Sequence, residues 1–284
     1  MKILVLGATG MLGSAMVRLL AASDDHEVVA ATRAAGAEER FPKETKARFI
    51  GHVDAENPDS LARLFAAARP EAVVNCVGLV KQLDNAKDVM AAIPVNTLLP
   101  HRLLALCEAG GARLVHVSTD CVFSGRTGGY CEADQPDASD VYGLSKYLGE
   151  VGGPSAITLR TSIIGHELRG GHSLLEWFLA REGEVDGFTR AIFSGVPTVE
   201  LARIVRDFVL PRPDLHGLYH VSAAPIAKYE LLRLIAAQYD KRIEIRPKAE
   251  PAIDRSLDSG RFRAATGYAP PEWPELIARM HRFG

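Results

Sequence analysis

Lys2-Ile-Leu-Val-Leu6 is apolar after its first residue, β-branched in part and closed by Gly7, which predicts a short strand buried on both faces. A helix follows, because Leu12, Met16, Leu19 and Leu20 recur at helical spacing between Met11 and Ala22. Val28-Val-Ala-Ala-Thr32 reads as the second strand. Asn57-Pro-Asp-Ser-Leu61 carries the proline and acid of a helix start, and that helix runs to about Arg69. The pattern then gives a strand at Ala72 to Gly78, a helix from about Pro94 to Ala109 and a strand at Arg113 to Ser118. A helix from Tyr142 to about Val151 and a strand at Ala156 to Arg160 follow.

Strands separated by single helices imply a parallel sheet with right-handed crossovers. The predicted fold class is therefore α/β, a doubly wound, Rossmann-like sheet over residues 1–165, with ligands expected at the carboxyl ends of its strands. Beyond Gly165 the pattern loosens into the Gly170-Gly171 loop, an amphipathic helix from Ser173 to Arg181 and a turn at Gly195-Val-Pro197. Residues 166–284 are expected to form a smaller, discontinuous substrate-binding domain, and Leu215 to Ser222 reads as a strand that returns to the first sheet. No internal repeat or low-complexity tract interrupts this plan.

Charge narrows the partners. Thirty-three basic and 35 acidic residues give a net charge of −2, which argues against nucleic acid and anionic membranes and toward a small or nucleotide-like ligand. Glycines break the N-terminal apolar run before it makes a secretory signal, and no other stretch is expected to approach the roughly 20 apolar residues of a membrane span. Cys76, Cys107, Cys121 and Cys131 are too scattered for a disulfide framework or a zinc ribbon, so cytoplasmic, reduced thiols are expected. His216 and His220 share a strand face without a third ligand nearby, and no metal is expected.

Gly7-Ala-Thr-Gly10-Met-Leu-Gly13 lies between a strand and a helix, the context that gives a glycine motif meaning. Gly7 permits a sharp turn, Gly10 a close diphosphate and Gly13 close helix packing, with the helix N-terminus facing the phosphates. About 20 positions on, where an acid would bind the NAD ribose, the chain has Thr32 and Arg33, which suit the 2′-phosphate of NADP. Asp54 is placed to meet an adenine amino group or to cap a helix.

Tyr142-Gly-Leu-Ser-Lys146 sets a phenol and an ammonium one helical turn apart, and the cation is expected to draw the phenol's pKa down toward neutrality. Ser118-Thr119-Asp120 ends the preceding strand and brings a hydroxyl to the same sheet edge. With these motifs the chain resembles an extended short-chain dehydrogenase/reductase, and within that group the dTDP-4-dehydrorhamnose reductase family. Asn75 to Gly78, Val95-Asn96, Ser118 to Gly125, Val141 to Lys146 and Leu159 to Ser162 carry the resemblance, with Trp177, Gly195 to Thr198, Ser256 to Asp258 and Trp273 matching more loosely.

The resemblance implies Tyr142 as proton donor to a sugar ketone, Lys146 as holder of the nicotinamide ribose, and Thr119 as hydrogen-bond partner of the substrate oxygen. It implies NADPH, or NADH, as hydride donor. Gly7, Thr9, Gly10, Met11, Leu12, Gly13, Arg33, Asp54, Cys76, Val77 and Gly78 would line the cofactor, and Asn96 would support Lys146 through water. Lys81, Thr119, Asp120 and Trp177 would meet the substrate, a nucleotide-sugar; a homo-oligomer is compatible with the chain.

The sequence also departs from the family. Lys81 and Gln82 replace an aromatic and acidic stretch, Cys121 replaces a tyrosine, and the Asp-Glu pair of related dehydratases is absent. Three functions stay open at this point: a keto-sugar reductase, a nucleotide-sugar epimerase with retained nicotinamide, and a non-catalytic subunit such as that of methionine adenosyltransferase, which resembles the same family.

Overall fold

The computed structural model describes residues 1–79 and 87–284. The first half alternates β1 (Lys2–Leu6), α1 (Met11–Leu20), β2 (Glu27–Ala31), β3 (Ala47–Ile50), α2 (Pro58–Ala68), β4 (Ala72–Asn75), α3 (Val89–Ala92), α4 (Leu99–Gly110), β5 (Arg113–Thr119), α5 (Val141–Leu148) and β6 (Ala156–Thr161). The second half is shorter-stranded: β7 (Ile163–Ile164), α6 (Leu174–Ala180), β8 (Glu184–Phe188), β9 (Ala191–Phe193), β10 (Val196–Pro197), α7 (Thr198–Ile204) and β11 (Gly217–His220). It closes with β12 (Ile226–Ala227), α8 (Lys228–Gln238), β13 (Glu244–Lys248), β14 (Ile253–Asp254), α9 (Gly260–Thr266) and α10 (Trp273–Phe283).

The main sheet has the order β11-β6-β5-β4-β1-β2-β3, with every pairing parallel. Alternation along each strand explains its two cores. Ile3, Val5, Val28, Ala30 and Val74 pack on one face with α1 and the C-terminal helices, whereas Leu4, Leu6, Val29, Ala31 and Val73 pack on the other with α2 and α4. The strand order reverses between β1 and β4, and a crevice opens at that point.

Local chemistry sets the boundaries. Asn57 caps α2 by accepting from the amides of Asp59 at 2.9 Å and Ser60 at 3.2 Å, with Pro58 in the first turn. The helix expected from Pro94 starts earlier and is π-wound over Ile93–Leu98. Pro100 has no N–H for the Asn96 carbonyl four residues before it, so regular α-helical pairing fails there.

Two expectations need correction. Val196–Pro197 is not a turn; it pairs in parallel with Ile163–Ile164, beside the substrate-side end of β6. Val89–Gly110, with mean hydropathy 1.3, is by length and composition able to cross a membrane, because α3, the π-wound segment and α4 run on as one continuous helix. In this fold Leu99, Leu103 and Cys107 bury one side of it against the sheet, and its other side carries His101 and Glu108.

The return of the chain to the sheet is made by β11, which pairs with β6 from Gly217 opposite Ile157 to His220 opposite Arg160. Close backbone packing holds the glycine loop: a Cβ on Gly13 would lie 2.0 Å from the Gly7 carbonyl oxygen. Gly13→Ala is therefore expected to destabilise the fold by about 1–3 kcal/mol, the usual cost of overpacking, measured as a lower urea midpoint with unchanged slope. An unchanged midpoint would show that α1 can move away freely.

Candidate active site

The carboxyl ends of β1, β4, β5 and β6 open into a cleft of about 510 Å³. Its floor includes Gly10, Met11 and Leu12 from the glycine loop and Asn75 to Leu79 after β4. Its middle holds Ser118 to Cys121, Tyr142 and Lys146, and its far wall is Ile192, Phe193, Lys228, Ile253 and Arg255. The proposed hydroxyl, phenol and ammonium of the sequence reading thus meet in one place.

The glycine loop fits a diphosphate. Gly7 has φ +72°, where a side chain is strained, and α1 begins at Gly10 with no side chain capping its amides. Those uncapped N–H groups and the positive end of the helix are what an anion would meet. Arg33 stands exposed just beyond β2, while Thr32 is buried and spends its hydroxyl on the Ala34 carbonyl at 2.8 Å. Thr32 therefore adds no free hydroxyl there.

Asp54 is exposed and accepts from the Glu56 amide at 2.9 Å, and Asn57, not Asp54, caps α2. Thr9 is half-buried and lies outside the residues that line the cleft. Lys81 lies outside the described residues.

Asn96 makes direct hydrogen bonds to two elements of the site. Its Oδ1 accepts from the Leu79 amide at 2.9 Å and its Nδ2 donates to Ser145 Oγ at 3.1 Å. Thr97 Oγ1 adds a bond to the Ser145 carbonyl at 2.8 Å. The π-wound segment thereby ties the loop under the cofactor side of the cleft to α5, the helix that carries Tyr142 and Lys146.

Burial controls the proton chemistry. Tyr142 has its pKa raised, chiefly by desolvation and then by Cys121, against a side-chain hydrogen bond with Thr119 that favours the phenolate. This reverses the expected lowering, and the physical reason is that withdrawal from water penalises the anion more than the surroundings repay. Lys146 donates from Nζ to the Val117 carbonyl at 2.8 Å, and desolvation lowers its pKa to about 8 against the opposing charge of Glu150. Asp120 accepts from Thr119 Oγ1 at 3.2 Å, and burial raises its pKa despite Arg255. Burial also pushes the Cys76 thiol up to about 12, so it is a neutral wall and not a nucleophile.

Trp177 does not line the cleft. It packs half-buried against the main core with the Arg181 guanidinium 5.4 Å from its ring centre. The wall expected from it is supplied by Ile192, Phe193 and Ile253, with the cations Lys228 and Arg255. Sequence reading missed Ile192, Phe193, Ile253 and Lys228 because they come from the short strands β9 and β14 and from the start of α8 just after β12, joined only in the fold. His220 is equally unlike a metal ligand: its Nδ1–H donates to the Tyr130 carbonyl at 3.0 Å and its Nε2 accepts from Arg160 at 3.3 Å.

Residues 1–282 match the RmlD substrate binding domain family. The chain belongs to that family. A Streptomyces antibioticus protein named as a probable dTDP-4,6-dihydroxy-2-methyloxan-3-one 4-ketoreductase is 31% identical, covering 99% of this chain and 97% of its own. The beta subunit of methionine adenosyltransferase 2 from Danio rerio is 27% identical over 84% of this chain and 74% of its own. The dTDP-4-dehydrorhamnose reductase of Bacillus anthracis, solved in complex with NADP, has the same fold, with a TM-score of 0.78 at 21% identity, covering 100% of this chain and 99% of its own.

A lysine whose pKa is lowered carries its charge below the shifted value and loses it above. Any turnover that depends on cationic Lys146 is expected to decline as pH rises through about 8. Initial rates from pH 6 to 10 at saturating cofactor check this; a rate flat to pH 9.5 would remove the Lys146 charge from the rate-limiting chemistry.

Proposed function

We propose that the chain is an NAD(P)H-dependent reductase of a keto group on a nucleotide-activated sugar, of the dTDP-4-dehydrorhamnose reductase kind. The observation that carries this reading is the convergence of Thr119, Tyr142 and Lys146 beside an uncapped glycine-rich helix start in one cleft. The full-length match to a named 4-ketoreductase supports it.

In this reading Gly10, Met11, Leu12 and the α1 amides hold the cofactor diphosphate, and Arg33 meets the 2′-phosphate of NADPH. Bound nicotinamide supplies the hydride. Lys146 binds the nicotinamide ribose. Thr119 turns its hydroxyl from Asp120 to hydrogen-bond the substrate oxygen, and Tyr142, kept protonated by burial, passes its phenolic proton to that oxygen as the alcohol forms. Lys228 and Arg255 on the far wall suit the diphosphate of the sugar nucleotide. The division into a cofactor-binding part near residues 1–165 and a substrate-covering part after it follows the two sides of the cleft. A reducing cytoplasm agrees with four cysteines carrying no disulfide.

A panel of nucleotide-linked 4-keto-sugars, read by NADPH oxidation, tests the reading. It predicts one NADPH consumed per alcohol formed; isomerisation without net consumption would make the chain an epimerase, and no turnover with any keto-sugar would favour a binding subunit. Tyr142→Phe is expected to cost 10²–10⁴-fold in kcat, on the order of a lost general acid, with NADPH affinity retained. Arg33→Ala should weaken NADPH binding and spare NADH, and equal losses for both would remove Arg33 from 2′-phosphate recognition.

A further inference from the structure

Behind the cleft lies a charged group that the mechanism so far does not use. Glu150, two residues beyond α5, is almost fully buried against Arg160 of β6, with 11% and 3% of their side chains exposed. Arg160 donates from Nε to Glu150 Oε1 at 2.7 Å and from its terminal NH2 to Oε2 at 2.6 Å. Ser118 Oγ donates to the same Oε1 at 2.7 Å. Arg160 is further packed over the Phe123 ring at 5.2 Å and meets His220 of β11 at 3.3 Å. The Glu150 carboxylate is thus held by three hydrogen bonds from two neighbouring strands.

Stability alone is a poor reason for such a pair, since well-packed apolar residues of similar volume usually serve a core as well or better. Its connections are more informative. Ser118 immediately precedes Thr119, and Glu150 is the foremost negative charge acting on Lys146. Next in the chain to Glu150, Gly149 is pressed so closely on the π-wound segment that a Cβ there would lie 1.9 Å from the Asn96 carbonyl oxygen. The chain leaving α5 therefore has little room to shift.

We propose that Glu150 is a positioning residue for the reduction: clamped by Arg160 and Ser118, it fixes the end of α5 against the Thr119 strand and supplies the fixed negative charge that keeps Lys146 cationic in a dry cleft. This rests on the reading of Lys146 as holder of the nicotinamide ribose. Bidentate pairing holds the carboxylate in one place, so its field at Lys146 does not relax when a ligand enters the cleft. Among the described residues, the titratable groups facing Lys146 are Cys76 after β4, His116 on β5, Tyr142 one turn earlier on α5, and Glu150. Those facing Glu150 are Arg160 and His220, with Glu132 behind His220 at 2.8 Å from its amide. Burial keeps both His116 and His220 neutral, and Cys76 stays a thiol, which leaves Glu150 as the carboxylate acting on Lys146, with Glu132 acting on His220.

The test is the protonation of Lys146 itself, measured by competitive trace acetylation of the whole protein with acetic anhydride from pH 6 to 11 and read by mass spectrometry. Wild type should titrate near pH 8 at Lys146. E150Q, which keeps the shape and removes the charge, should lower the midpoint by half a unit or more, about a threefold loss in the ratio of charged to neutral lysine. Where E150Q does not fold, the double variant E150Q/R160Q leaves no unpaired buried charge and should shift Lys146 in the same direction. A lower melting temperature with the Lys146 midpoint unmoved, in either variant, would make the pair purely structural and overturn the proposal. Acetylation needs no substrate, so failure of every keto-sugar to turn over would count against the proposed reaction without mimicking either result. With a turned-over substrate, E150Q should lose kcat more than KM, with the loss deepening above pH 8.

Discussion

The close approach of backbone to backbone around α5 is the constraint on which the cleft depends. Pro100 leaves the Asn96 carbonyl without its α-helical partner, and the chain responds with π winding over Ile93–Leu98. That winding presents Asn96 and Thr97 to Ser145, and the absence of a side chain on Gly149 lets the next segment lie directly against the Asn96 carbonyl. Tyr142 and Lys146 ride on the helix so held, and Asn96 also grips Leu79 beneath the glycine side of the cleft. Moving any one of these contacts would change the spacing between phenol, ammonium and the strand that ends at Thr119.

Dehydration of the site then decides which atoms carry protons. A solvent-exposed Tyr–Lys pair would favour phenolate and ammonium together, but here burial raises the phenol and lowers the ammonium. For a step that delivers a proton to a developing alkoxide, a neutral phenol is the useful form. Lys146 retains its charge near neutrality with the Val117 carbonyl and the Glu150 carboxylate as support. Asp120 and the far-wall cations complete a cleft whose two sides differ in charge.

The fold was largely legible because its signals are local and periodic. In β1 the run Ile3 to Leu6 and the closing Gly7 are contiguous, and five further strands, β2, β4, β5, β6 and β11, could be placed on similar grounds, whereas the edge strand β3 went unread. Gly7, Gly10, Thr119, Tyr142 and Lys146 were likewise readable, since each sits beside the strand end or helix start that gives it meaning. What escaped depends on distance in the chain. Lys228, at the start of α8, reaches the cleft through the β12-β9-β14 sheet, and the two-residue pairing of β7 with β10 is too short to leave a pattern. Trp177 carried no signal that separates core from cleft, and the direction of the Tyr142 shift required knowing its burial. Glu150 was hidden inside a motif whose tyrosine and lysine drew attention first, although an arginine within the apolar strand Ala156–Thr161 implies a buried acid somewhere.

Whether the cleft moves a hydride onto a ketone carbon is tested most directly with deuterium. NADPH labelled at C4 with deuterium, on the face that is transferred, should place one deuterium on the carbon of the new alcohol, with solvent supplying only the hydroxyl proton. Product carrying no cofactor label at that carbon, or carrying solvent hydrogen there instead, would contradict the account.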